Sequence, residues 1–147
     1  MNEPEVIDEM LGDGAAGNGA TGNGHARTIA VVGLSDNPGK PSYYVSEYMQ
    51  RHGYRILPVN PALETVLGEK SYASLTALPV KPDVVNVFRV PQMIPAIVDE
   101  MLMLGLRDLW VQAGIVNAEA AERAEADGMH VVMDRCIMVE HRRREGA

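Results

Sequence analysis

From residue 27 onward, short apolar runs alternate with segments whose apolar residues recur at helical spacing. Apolar positions three and four residues apart predict three helices, each followed by a glycine that can end it, over about 44–52, 94–102 and 117–124. The runs between them have the length and β-branched composition of strands buried on both faces. Five such runs are found: 28–34, 54–60, 83–88, 107–113 and 129–134.

This alternation predicts the fold class. A helix that connects two strands of one sheet requires a right-handed crossover, which makes the strands parallel and covers the sheet with helices. We expect an α/β protein, a single Rossmann-like doubly wound domain with a five-stranded parallel sheet in the order 3-2-1-4-5. The stretch 61–82 is less regular, and we expect only short helical turns there, near 63–67 and 72–78.

The N-terminal 26 residues differ from the rest in composition. The segment "GDGAAGNGATGNG" has the glycine and small polar residues of a flexible linker. Before it, Val6, Ile7, Met10 and Leu11 share one helical face after Pro4, as in a small docking helix. A helix this short is marginal alone. We therefore expect an acidic, Gly-rich flexible tail over 1–26 and a folded domain over 27–147.

Length and composition indicate one soluble domain. The chain has 147 residues, 46% of them hydrophobic, which is enough for one real core. No apolar run is long enough to cross a bilayer, and the acidic N-terminus lacks the pattern of a signal peptide. The single cysteine, Cys136, excludes an internal disulfide framework. We expect a cytoplasmic protein with no membrane partner.

Charge argues against a nucleic-acid partner. The net charge is −7, and residues 1–26 hold five of the 20 acidic side chains and no Lys or Arg. The remainder therefore has 13 basic and 15 acidic side chains, with no basic stripe to neutralise phosphates. The one basic cluster, residues 142–144, is either favourable charge at a helix C-terminus or a partner-binding patch.

The fold predicts where a ligand binds. Open parallel sheets hold ligands at the carboxyl ends of their strands, where the strand order reverses. The segments that reach this edge are Gly33-Leu34-Ser35, Val59-Asn60-Pro61, Phe88-Arg89-Val90, Gln112-Ala113-Gly114 and Asp134-Arg135-Cys136.

The first of these loops suits an anionic nucleotide. Gly33 allows a tight turn and a close approach of the backbone to a ligand. Ser35, Ser42 and backbone amides can donate hydrogen bonds to phosphate oxygens, and the helix after Pro41 offers its positive end. Lys40 adds a full charge. Ser42 could instead serve only as the helix N-cap.

Two common types of nucleotide-binding site do not fit this sequence. NAD-binding domains usually have Asp or Glu at the end of the second strand to bind the ribose hydroxyls, and this chain has Asn60-Pro61. The second and third glycines of the dinucleotide motif are missing. No G-x-x-x-x-G-K-[ST] segment occurs, which excludes a P-loop.

Several segments together resemble a known family. "VVGLSDNPGKPSYYV", "GYRILPVNP", "LGEKSYASL", "DVVNVFR", "LWVQAGI" and "GMHVVMDRCIMVEH" are similar, in this order, to the small bacterial CoA-binding proteins of the YccU type. The resemblance spans about 27–141. A related domain occurs in the alpha subunit of succinyl-CoA synthetase. The resemblance implies a stand-alone CoA-binding Rossmann domain.

The resemblance also implies a set of site residues for coenzyme A. CoA carries a 3′-phosphate, which an acidic residue at the second strand end would repel, so a neutral end suits it. The first loop would hold the phosphates, the second strand end the adenosine, and the later loops the cleft wall and the pantetheine arm. In that order the residues are Gly33, Leu34, Ser35, Lys40, Pro41 and Ser42; Val59, Asn60 and Pro61; Phe88 and Arg89; Gln112 and Gly114.

Catalytic chemistry has little support in the sequence. No two of the four histidines (His25, His52, His130 and His141) have metal-ligand spacing, so we expect structural or solvated side chains and no metal. Asp134 is either a catalytic carboxylate or the cap of a turn. Cys136 could form a mixed disulfide with the CoA thiol, or could be a small buried side chain. Arg89 is either a phosphate partner or part of a surface salt bridge.

These observations lead to a functional expectation. We expect a non-catalytic protein that binds CoA or acyl-CoA, and not an enzyme in its own right. The alternatives are an NAD(P)-binding oxidoreductase-like domain and a CoA-binding subunit of an enzyme completed by a partner. A protein partner or a homo-oligomer stays open.

Overall fold

A computed structural model describes residues 1–12 and 27–145 of the chain. The helices are α1 (Pro4–Leu11), α2 (Pro41–Arg51), α3 (Ile94–Leu104), α4 (Ala118–Ala126) and α5 (Ile137–Glu145). The strands are β1 (Thr28–Val32), β2 (Arg55–Val59), β3 (Thr65–Val66), β4 (Glu69–Lys70), β5 (Val84–Val87), β6 (Asp108–Val111) and β7 (His130–Met133). The five longer strands are those that the apolar runs predict. They form one parallel sheet, so the predicted α/β, Rossmann-like class is confirmed.

The predicted strand order 3-2-1-4-5 is wrong in one position. The observed order is β2-β1-β5-β6-β7, in which the third predicted strand, β5, pairs with β1 and not with β2. The outer edge of β2 instead has a single parallel bridge between Val59 and Tyr72. Tyr72 donates its N–H to the Pro58 carbonyl over 3.0 Å and accepts from the Asn60 N–H over 2.9 Å.

The connection from β2 to β5 explains this order. It contains the antiparallel hairpin β3–β4 where we expected a helical turn near 63–67, and a 3-10 turn, Leu75–Ala77, within the expected 72–78. Neither is a long amphipathic helix that could cover the sheet and return a full strand beside β2. Tyr72 of this connection occupies the outer edge of β2, and β5 forms on the other side of β1.

Helices cover both faces of the sheet. Alternate strand residues point to opposite faces, so Val85 and Val87 join the cluster under α3 and α4, while Val84 and Trp110 join the cluster under α1, α2 and α5. Trp110 is fully buried, and its indole N–H donates to the Arg135 carbonyl over 2.8 Å. The sheet is thus buried on both sides, as its uninterrupted apolar strands require.

The first part of the predicted flexible tail is a docked helix in the structure. Ile7, Met10 and Leu11 of α1 are 4%, 2% and 1% exposed, against the same cluster as Trp110. The Tyr54 hydroxyl donates to the Leu11 carbonyl over 2.5 Å, and burial raises the pKa of Tyr54 to about 12. Burial of one face stabilises a helix that would be marginal alone. Residues 13–26, which hold the glycine-rich part of the tail, lie outside the described residues.

Within residues 1–12 and 27–145, no helix combines the length and the apolar character needed to cross a membrane.

Candidate functional site

The candidate site lies at the carboxyl ends of β1 and β5. From β1 the chain continues to β2 on one side, and after β2 it crosses to β5 on the other, so the strand order reverses between β1 and β5. Such a switch point is where open parallel sheets bind ligands. Because β5 takes the place beside β1 that the predicted order gave to the fourth strand, Gly33 after β1 faces Phe88 and Arg89 after β5.

Two features of the chain after β1 require a glycine at position 33. Its φ is +90°, a conformation that residues with a Cβ rarely adopt. A Cβ there would lie 2.7 Å from the Phe88 carbonyl oxygen and 2.8 Å from Arg89 Cδ. Its N–H donates to the Val59 carbonyl over 3.0 Å. The loop therefore brings backbone, rather than side chain, to the switch point.

The rest of the first loop is held by its own polar groups. The Ser35 N–H donates to Ser42 Oγ over 2.9 Å, and the Asn37 N–H donates to Ser35 Oγ over 3.0 Å. The N-cap of α2 is Lys40, so Ser42 lies within the first turn and is not the cap. These bonds fix both hydroxyls beside the start of α2.

The start of α2 is electrically positive. Its first turn contains no acidic side chain, and Lys40 is exposed at the N-cap. A helix N-terminus carries a partial positive charge and free N–H groups, which attract anions. Arg89 is also exposed, and it forms no ion pair with any residue that the structure describes. Its alternative role in a surface salt bridge is therefore not seen in this part of the chain.

The main cavity lies between α2 and α5 and has a volume of about 620 Å³. This volume is within the usual range for small-molecule sites, roughly 300–1,000 Å³. The residues that sequence reasoning predicted in its wall are Gly33, Ser35, Lys40, Pro41, Ser42, Phe88, Gln112 and Cys136. Those that it missed are Tyr44, Val45, Ile115, Met138 and Val139, while Ala113 was predicted to reach this edge but was not assigned to the site.

A second cavity of about 240 Å³ lies on the α3 side of the same loop, and Gly33 lines both cavities. The predicted residues in its wall, besides Gly33, are Val59, Pro61 and Arg89. The missed residues come mainly from the irregular connection before β5, from α3 and from the turn before α3, and include Ala73, Ser74, Met93 and Glu100.

Three predicted site residues line neither cavity. Leu34 is fully buried, and its carbonyl accepts from Asn60 Nδ2 over 3.0 Å. Asn60 Oδ1 accepts from the Ala62 N–H over 2.9 Å, so this amide braces the first loop against the end of β2. The Gly114 N–H donates to Asp134 Oδ1 over 2.7 Å. The structure gives these residues supporting positions, and their contact with a ligand stays a prediction.

The far wall of the main cavity is built on the start of α5. Gln112 is 4% exposed, and its Oε1 accepts from the Ile137 N–H over 3.0 Å, which caps α5. Cys136 is half-buried beside it and lines the cavity. Met138 and Val139 could have been found from the sequence, because a helix that begins directly after a strand end at this edge must turn its first residues toward the site.

The fold and this site define a class of protein: a Rossmann-like domain whose first strand–helix loop begins with a glycine at the switch point and leads to the positive end of a helix. The family is the CoA binding domain, which matches residues 27–142, and the chain belongs to it.

The chain is similar to several proteins of known sequence or structure. YneT, an uncharacterized protein of Bacillus subtilis strain 168, is 43% identical over 116 residues, which cover 79% of this chain and 86% of YneT. A structure titled cell-free ID.343 from Thermus thermophilus is 40% identical, with a TM-score of 0.77 over 80% of this chain and 90% of that one. Acetate–CoA ligase [ADP-forming] II of Archaeoglobus fulgidus is 24% identical over 103 residues, 69% of this chain but 15% of the ligase.

Proposed function

We propose that this protein binds coenzyme A or an acyl-CoA across the two cavities that meet at Gly33. The observation that carries the proposal is the first strand–helix loop. It brings bare backbone to the switch point, holds Ser35 and Ser42 beside the positive start of α2, and opens on a cavity at each side. An extended ligand with a charged middle suits this arrangement better than a compact one.

Each part of CoA matches a different region of the site. Lys40, Ser35 and the start of α2 suit the pyrophosphate, because they are donors and positive charges at the centre. Pro61 and Arg89 in the second cavity suit the adenosine and its 3′-phosphate. Val45, Ile115 and Met138 in the main cavity suit the pantetheine arm, whose thiol would then point toward Cys136.

The neutral end of β2 favours CoA over NAD. The Asn60 amide is already bonded to Leu34 and Ala62, so it is not placed like a carboxylate that accepts two ribose hydroxyls. An NAD(P)-binding oxidoreductase-like domain is therefore the weaker alternative.

We also propose that binding is the whole activity of this chain. None of the histidines that the structure describes lines either cavity: His52 follows α2, His141 is in the middle of α5, and His130 lies beside Asp108 at 3.0 Å. The Archaeoglobus ligase, of which this chain covers 15%, favours a second candidate, a CoA-binding subunit whose catalytic parts are supplied by a partner. The free thiol of Cys136 suits a reducing compartment, and we propose the cytoplasm.

Native mass spectrometry of the purified protein tests this proposal. We expect added CoA to bind with a ratio of one per chain, and added NAD not to bind at the same concentration. A CoA-sized adduct that disappears on reduction would reveal a disulfide with Cys136. Binding of NAD without CoA would contradict the proposal, and hydrolysis or synthesis of an acyl-CoA by the chain alone would contradict its non-catalytic part.

A further inference from the structure

A cluster of metal-ligating side chains lies outside the candidate CoA site. His52 follows the last turn of α2, and His141 and Glu145 lie one turn apart on α5. His52 Nε2 is 3.4 Å from Glu145 Oε2, and His141 Nδ1 is 3.9 Å from the same oxygen. One ligand atom from each residue lies within 4.8 Å of the other two. The histidines are 89 positions apart in the sequence (141 − 52), so spacing alone could not reveal the cluster.

The hydrogen bonds of His52 fix its orientation. His52 Nδ1 lies 2.8 Å from the Tyr48 carbonyl oxygen, which can only accept, so Nδ1 is the donor. In the neutral ring the lone pair is then on Nε2, the atom that faces Glu145. An imidazole whose other nitrogen donates to a backbone carbonyl is the usual arrangement of a metal-ligating histidine.

His141 offers a second nitrogen to the same space. Its side chain is 2% exposed. The Tyr48 hydroxyl lies 2.9 Å from His141 Nδ1 and 3.4 Å from Glu145 Oε2, so it closes the remaining side of the cluster. If His141 Nδ1 carries no proton, the single proton of the hydroxyl can satisfy only one of these two atoms at a time.

In the tautomer in which His141 Nδ1 carries no proton, the three ligand atoms all present electron pairs to the shared space. Two imidazole nitrogens and a carboxylate oxygen face each other, and the carboxylate of Glu145 has no Lys or Arg partner among residues 1–12 and 27–145. The guanidinium of Arg142 lies over the Tyr48 ring, 5.5 Å from its centroid, and not between the three ligand atoms. A cation in the shared space would satisfy all three atoms together.

The distances suit a small transition-metal ion. Zn²⁺ binds histidine nitrogen and carboxylate oxygen at about 2.0–2.2 Å in a tetrahedral arrangement, which puts the ligand atoms about 3.3–3.5 Å apart. Two of the separations are 3.4 and 3.9 Å, and all three ligand atoms lie within 4.8 Å of one another, so rotation of the side chains must shorten the longer separations to reach this geometry. Two imidazoles and one carboxylate favour Zn²⁺ over Mg²⁺ or Ca²⁺, which prefer all-oxygen sites.

We propose that His52, His141 and Glu145 bind one divalent transition-metal ion of the zinc type, with Tyr48 or a water at the fourth position. The site is distinct from the proposed CoA site, because none of His52, His141 and Glu145 lines either cavity. A bound ion would join the C-terminal ends of the two helices whose N-terminal ends form the cavity walls.

Titration of the full chain with Co²⁺ tests the proposal, after treatment with a chelator and its removal. We expect one Co²⁺ per chain, with the intense visible absorption of four-coordinate cobalt, and displacement by Zn²⁺. His52→Ala and Glu145→Gln should each weaken binding by about tenfold or more. These two residues are partly exposed, so their substitution should preserve folding, which circular dichroism checks.

His130→Ala is the matched control. His130 is an exposed histidine that also faces a carboxylate, that of Asp108 at 3.0 Å, but it lies on β7 away from the cluster. Its substitution should leave Co²⁺ affinity unchanged. The proposal would be overturned by the absence of saturable binding of Co²⁺ and Zn²⁺, or by binding that both His52→Ala and Glu145→Gln leave intact.

Discussion

At the scale of single residues, Gly33 connects backbone conformation to ligand access. Its φ is positive, and a Cβ at this position would come within 2.7 Å of the Phe88 carbonyl oxygen, so there is no room for a side chain. The role of this glycine could be predicted from the sequence, because a tight turn after the first strand is a local feature. It did not predict Tyr44 or Met138 in the cavity wall, because those side chains reach the site only through the packing of α2 and α5.

Gly33→Ala should therefore weaken CoA binding by about tenfold or more, equivalent to roughly 1.4 kcal/mol. It should also destabilise the fold by about 1–3 kcal/mol, because it combines an unfavourable φ with a backbone clash. Calorimetric titration and urea unfolding measure the two effects.

Gly68→Ala is the control for the conformational part of this change. Gly68 has a φ of +76° in the β3–β4 turn, but a Cβ there meets nothing within 4 Å. We expect a smaller loss of stability, about 1–2 kcal/mol, and unchanged CoA affinity. Equal effects of the two substitutions on binding would show that the first loop is not the site.

Lys40 and Arg89 should contact different phosphates. Lys40 lines the main cavity beside the start of α2, whereas Arg89 lines the second cavity together with Pro61. Lys40→Ala should weaken CoA and dephospho-CoA equally, and Arg89→Ala should weaken CoA more than dephospho-CoA. Because both side chains are exposed, we expect losses of about three- to tenfold in titrations at constant salt. If Lys40→Ala instead weakened CoA more than dephospho-CoA, and Arg89→Ala weakened both equally, Lys40 would contact the 3′-phosphate and Arg89 the pyrophosphate.

At the scale of elements, local patterns identified the strands but not all their neighbours. The position of β5 beside β1 depends on the connection 61–82, which contains a hairpin and a 3-10 turn. The missing amphipathic helix in that stretch was the available sign that no full strand would form beyond β2. The helix α1 shows the same limit, because its stability comes from burial of Ile7, Met10 and Leu11 against distant parts of the chain.

Docking of α1 can be measured by substitution. Leu11→Ala should destabilise the protein by about 2–5 kcal/mol in urea unfolding, because it leaves a cavity at a side chain that is 1% exposed. Glu9→Ala, on the exposed face of the same helix, should change stability by less than about 0.5 kcal/mol. If Leu11→Ala is as mild as Glu9→Ala, the N-terminal segment is a flexible tail, as its composition alone suggested.

At the scale of the whole molecule, the cavities on the two faces of the sheet meet at the edge formed by the carboxyl ends of the strands. The α2–α5 face forms the main cavity, the α3 face forms the second, and Gly33 lies where they meet. Every residue that lines the two cavities belongs to the segment 27–142 that the family match covers.

Isothermal titration calorimetry of the full chain with CoA, and separately with NAD, tests the central claim most directly. We expect a saturable signal for CoA at one site per chain, strongly reduced in Gly33→Ala, and no saturable signal for NAD at the same concentration. Saturation by NAD with no response to CoA, or CoA binding that Gly33→Ala leaves unchanged, would contradict the account.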